Sequence, residues 1–274
     1  MRNTLKATTL ESKLPLLAVE HGCIISKDAD ITLAFEVTLP ELFTVTSAEY
    51  EAMHAAWCKA IKVLPHFSVV HKQDWFMAET YKPELQKEDL SFLDRSFERH
   101  FNERPYLAHQ CYLFLTKTTK ERMRQQSNFS TLCRGRITPK ELNHEVIVKF
   151  MESVEQLERI INDTGYLKLR RLSDDEIVGT ESTSGIIERY LSLSMGNVTC
   201  LEDIDLSAKE MRIGDKMLCL HTLSDTDDLP GKVSTDNRYE RLSTDRSDCR
   251  LSFASPVGLL LPCNHIYNQY ILID

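Results

Sequence analysis

Ile31-Thr32-Leu33-Ala34-Phe35-Glu36-Val37-Thr38-Leu39 decides the fold class, because apolar and small polar side chains alternate along it with period two. That is the pattern of a strand with one face turned toward a core. Toward the N-terminus, residues 16–19 and 22–26 are short β-branched runs separated by turns, so the three segments predict an opening antiparallel sheet. Toward the C-terminus the period changes. Thr46 followed by Glu49 forms a capping box, and Tyr50, Met53, Trp57, Ile61 and Leu64 then recur at helical spacing until Pro65. This helix is expected to pack on the sheet. A strand near 66–77, a helix near 89–102 with Phe92, Leu93, Phe97 and Phe101, and a strand near 110–118 complete a first unit.

Thr138-Pro139 predicts the start of another helix, with Thr as cap and Pro at the first helical position. Its apolar stripe runs through Leu142, Val146, Phe150, Val154, Leu157 and Ile161 to a stop at Asn162-Asp163-Thr164-Gly165. A strand at 166–172 follows, and Ser173 with Glu176 makes a second capping box. The helix it opens is expected to break between Gly179 and Gly185 and resume through Ile186, Ile187, Tyr190 and Leu191. The remainder reads as strands separated by a polar stretch at 224–248. The expectation is an α+β protein, mainly antiparallel sheets with helices on one face, in two subdomains, 1–137 and 138–274.

Composition is that of a water-soluble globular protein: 274 residues, 42% hydrophobic, 27% charged, formal charge −8. The charge is uneven, with 18 basic and 17 acidic residues in 1–137 against 15 and 24 in 138–274. The N-terminus lacks the apolar stretch of a signal peptide, and the run Val257 to Leu261 is far shorter than the roughly 18 residues that span a bilayer. Eight cysteines stand apart without a C-x-x-C pair and are expected to be buried, reduced thiols.

Three constellations carry chemical interest. Lys117, Lys120, Arg122, Arg124, Arg134 and Arg136 form a basic cluster opposed only by Glu121, suited to phosphates or an acidic protein surface. A solvated loop is the plainer account, and Phe129 is the one aromatic there for stacking. Asp225, Asp227, Asp228, Asp236, Asp245 and Asp248 are dense enough for a metal-dependent hydrolase or nuclease, although their spacing is not that of a calcium loop. Polar turns are their plainer account. His66 with His71, and Cys263 with His265, lack the four convergent ligands zinc requires. For Phe92, Phe97 and Phe101, core packing is the expected fate, and any face left outside the core is a partner surface.

A nucleotide-phosphate loop is absent. The nine glycines are scattered, and Gly231-Lys232 is followed by Val233 and has Thr226 where a P-loop places its first glycine. Yet the phrases 1–11, 17–30 (Leu17-Ala18-Val19-Glu20-His21-Gly22-Cys23 onward) and 95–105 (Arg95-Ser96-Phe97-Glu98-Arg99-His100 onward) closely resemble the start of TraG-type conjugation ATPases of Bacteroides conjugative transposons. So do 243–250 and 264–270. The resemblance spans essentially the whole chain. It implies a cytoplasmic ATPase of a type IV secretion machine, peripheral at the inner membrane through its partners, whose P-loop motor follows the matched region. This chain stops at Asp274 within an apolar strand pattern and is expected to be an N-terminal docking and assembly domain. By that resemblance its partners are inner-membrane channel proteins, its own motor domain and further copies of itself. ATP and magnesium belong to the motor and no cofactor to this segment. A single-stranded DNA adaptor and the metal-dependent hydrolase are the rival expectations.

Overall fold

A computed structural model describes residues 9–40, 46–80, 91–102, 105–118, 144–207, 210–220 and 265–273. The N-terminal third begins with α1 (Leu10–Lys13), β1 (Leu16–Glu20), β2 (Cys23–Ser26), β3 (Ile31–Thr38) and α2 (Ser47–Ile61). Then come β4 (Ser68–Thr80), α3 (Phe92–Asn102), β5 (Pro105–Lys117), α4 (His144–Asn162) and β6 (Lys168–Arg171). Two short helices, α5 (Asp174–Val178) and α6 (Ile186–Ser192), precede β7 (Ile204–Leu206), β8 (Met211–Ile213), β9 (Lys216–Leu218) and β10 (His265–Ile273). The architecture is α+β, and its strand pairs are mostly antiparallel.

The large sheet has the order β1-β2-β3-β5-β4-β10, with β6 also paired to β3. β2 pairs with β3 only as far as Leu33, and β6 takes up the vacated side at Phe35–Thr38. β5 runs along the other side from Ile31 to Glu36. β7, β8 and β9 form a separate antiparallel meander.

Two compact units are present, and they interleave in sequence. One comprises residues 1–73, 111–187 and 268–274; the other comprises 74–110 and 188–267. The division therefore falls within β4, β5, α6 and β10; the expected boundary at 137/138 lies outside the described residues. In the first unit, Leu33, Phe35, Val70, Leu113, Leu115 and Leu169 of the sheet meet Ala60 of α2 and Phe150, Val154, Leu157 and Ile161 of α4. Those four α4 residues recur at helical spacing and are at most 2% exposed, so one whole stripe is withdrawn from water. In the second unit, Trp75 and Met77 are buried, Tyr190 packs at a tilt on Trp75 with ring centroids 5.9 Å apart, and Arg189 lies over the Trp75 ring at 6.0 Å.

Both predicted capping boxes are formed: Thr46 with Glu49, and Ser173 with Glu176. The helix break between Gly179 and Gly185 is also present, closed by a bridge between Gly179 and Ser184. The β1–β2 turn is His21-Gly22, with φ of 56° and 69°, so a two-residue loop joins Glu20 to its partner Cys23. Gly22 N–H donates to Asp174 Oδ1 at 2.5 Å, and Arg171 Nη2 donates to the His21 carbonyl at 3.0 Å. Arg170 adds bonds to Glu36 Oε2 at 2.6 Å and to Glu176 Oε1 at 2.8 Å, joining β6 to β3 and α5. The cysteines depart from expectation. Cys111 is buried and Cys23 and Cys58 are half-buried, but Cys200 and Cys219 are exposed; Cys133, Cys249 and Cys263 lie outside the described residues.

Candidate contact surface

The basic cluster is not assembled on a described surface. Lys117 is buried: its ammonium donates to the His66 and Phe67 carbonyls and sits 5.4 Å from the Phe67 ring centroid. Burial pulls its pKa below the ordinary lysine value. That charge is used inside the protein, at the end of β5. Lys120, Arg122, Arg124, Arg134 and Arg136 lie outside the described residues, as do the carboxylates from Asp225 to Asp248.

His71 does not join His66 in a ligand set. Its ring stacks on Tyr270 at 4.2 Å, and its Nε2 lies 2.8 Å from Asn268 Oδ1, which also accepts from Gln73 Nε2 at 2.8 Å. An amide oxygen only accepts, so Nε2 carries the proton. Burial holds this imidazole below the usual histidine pKa, partly opposed by the Asn268 bond. Among the described residues no group of three or more His, Cys, Asp or Glu could hold a metal ion. In the second unit, His109 Nε2 meets the buried Asp74 Oδ1 at 3.0 Å and stacks on Phe76 at 4.4 Å. This pair ties β4 to β5.

The surface suited to binding is α3. Its start is fixed by a reciprocal cap: Ser91 Oγ accepts from Asp94 N–H at 3.2 Å, and Asp94 Oδ2 accepts from Ser91 N–H at 3.2 Å and from its hydroxyl at 2.7 Å. The Ser-x-x-Asp spacing is readable in sequence but is masked by the more conspicuous phenylalanines. Phe92, Leu93 and Phe97 are 83%, 76% and 62% exposed. At about 100° per residue they fall within roughly 140° of one another on the helix. Core packing, the expected fate of Phe92 and Phe97, is therefore not what they do: both stay largely exposed, while Trp75, Met77 and Ile213 are the second unit's buried apolar side chains among the described residues. Phe101 has no described side-chain placement. Large apolar side chains gathered in water mark interaction sites more often than isolated ones do.

Residues 3–55 match a family described as "Domain of unknown function, B. Theta Gene description (DUF3875)". The matched stretch takes in β1, β2, β3 and the first half of α2. No curated protein matches the chain. Among the described residues no helix is long and apolar enough to cross a membrane.

Proposed function

We propose that this chain is a docking and assembly domain of a TraG-type conjugation ATPase, and that α3 is its principal contact surface. The observation that carries the reading is the exposure of Phe92, Leu93 and Phe97 on one capped helix. Docking asks for a folded scaffold with an exposed apolar patch, and needs neither a nucleotide loop nor tuned acids and bases. The long phrases shared with TraG-type ATPases supply the biological setting, and the match of residues 3–55 to a family described from B. theta agrees with a Bacteroides source. The partners on this reading are inner-membrane channel proteins, and the domain sits on the cytoplasmic side of that membrane. Lys120, Arg122, Arg124, Arg134 and Arg136 are a secondary contact in the same proposal. ATP and magnesium are handled by the motor that follows.

The test uses the full-length ATPase. Replacing Leu93 and Phe97 by Asp together should lower DNA transfer between cells by about tenfold or more, the scale of one lost interface anchor. ATP turnover of the purified protein should stay unchanged. Equal loss of both would assign α3 to the fold or the motor, and normal transfer would remove it as a contact. ATP turnover by the 274-residue chain alone would overturn the docking reading outright.

A further inference from the structure

α2 carries a histidine and a cysteine that the docking reading does not use. His54 and Cys58 are four residues apart, so they lie one turn from each other on the same side of the helix. Cys58 Sγ stands 3.8 Å from His54 Nε2. The helix beneath them is held in place: the Thr46/Glu49 box fixes its start, Ala60 is buried in the core and Trp57 packs against it. The pair itself is turned outward. His54 is exposed and Cys58 half-buried, so an ion reaches both from solvent.

We propose that His54 Nε2 and Cys58 Sγ form an open, exchangeable binding site for a divalent ion of zinc-like softness. Separation is the first argument. With Zn–S of about 2.3 Å, Zn–N of about 2.0–2.1 Å and a near-tetrahedral angle, sulfur and nitrogen on one ion stand about 3.6 Å apart. The observed 3.8 Å asks only for a slight opening of that angle. Chemistry is the second argument: thiolate and imidazole together favour zinc-like ions, whereas magnesium and calcium take oxygen ligands. As the ion binds, the Cys58 thiol proton leaves to solvent and Nδ1 keeps the imidazole proton, so the sulfur and Nε2 lone pairs both face the metal. Among the described residues no third His, Cys, Asp or Glu joins the pair, so water holds the remaining positions. That distinguishes it from a structural zinc site, which closes all four positions with protein. The two ligands face each other only while α2 is helical, so binding also favours the folded chain. The inference is independent of α3, and its failure leaves the docking reading standing.

Co²⁺, the spectroscopic stand-in for Zn²⁺, tests it by titration into the 274-residue chain under a phosphine reductant. A near-ultraviolet sulfur-to-cobalt band is expected, abolished by added Zn²⁺, together with a higher thermal midpoint in Zn²⁺. Cys58→Ser should remove the band, and His54→Ala should weaken binding by about tenfold or more, at least the loss that follows removal of a group behind a ligand. A double variant of the exposed thiols, Cys200→Ser with Cys219→Ser, should keep the band. If Cys58→Ser loses its native melting transition, His54→Ala, at an exposed position, decides. No band in the parent, or unchanged binding in a folded Cys58→Ser or His54→Ala chain, overturns the inference.

Discussion

Two glycines show how single positions hold the first unit. Gly22 has φ of 69°, and a Cβ there would stand 3.1 Å from Arg171 Nε, the side chain that clamps the His21 carbonyl. Gly22→Ala should cost about 1–2 kcal/mol, the penalty of a left-handed L-residue, read as a lower thermal midpoint. Gly185 is more constrained. An added Cβ would overlap the Val178 carbonyl carbon, the Gly179 nitrogen and the Ile177 oxygen, all main chain, so no side-chain rotation relieves it. Gly185→Ala should therefore cost roughly 3 kcal/mol or more, the upper end for overpacking, and a melt within about 2 °C of the parent would contradict the placement of the α5–α6 loop. The capping boxes at Thr46/Glu49 and Ser173/Glu176 are legible in sequence because a cap is a bond between residues three apart. The clamp of Gly22 by Asp174 is not, because 152 positions separate the partners and no local rule joins them.

At the scale of elements, the stripe of α4 is both readable and decisive. Leu157 is fully buried in the core, so Leu157→Ala should destabilise by about 2–5 kcal/mol, measured by urea unfolding. α3 marks the limit of the same reasoning. Helical spacing tells which side of α3 is apolar; it does not tell how much of that side the fold buries, and Phe92, Leu93 and Phe97 stay largely exposed. The β4–β10 pairing adds a pH dependence. The His71 pKa is lowered in the folded state, so between that value and the unfolded value of about 6.5 the unfolded chain binds more protons. The contribution of neutral His71 is whole above about pH 6.5 and is lost as pH falls through the folded pKa. Acidification from pH 7.5 to 5.0 should thus destabilise the parent more than His71→Gln, and parallel pH profiles would refute this.

The whole molecule is the level least visible in the sequence. Thr138-Pro139 and the shift in charge balance suggest a cut outside the described residues; the two units interleave, and β4, β5, α6 and β10 each contribute residues to both. Strand pairing across long separations makes such an arrangement, and composition carries no record of it. Function follows the same division: the missing P-loop is legible residue by residue, but a contact surface appears only once the core has claimed its side chains. The most direct test of the docking proposal is a photo-cross-linking amino acid at Phe97 in the full-length ATPase to which the proposal assigns this chain, within conjugating cells. Adducts with a membrane-fraction protein of the conjugation apparatus, lost when Leu93 is replaced by Asp, are expected. Adducts confined to the ATPase's own chain, with a surface probe elsewhere still capturing partners, would contradict it.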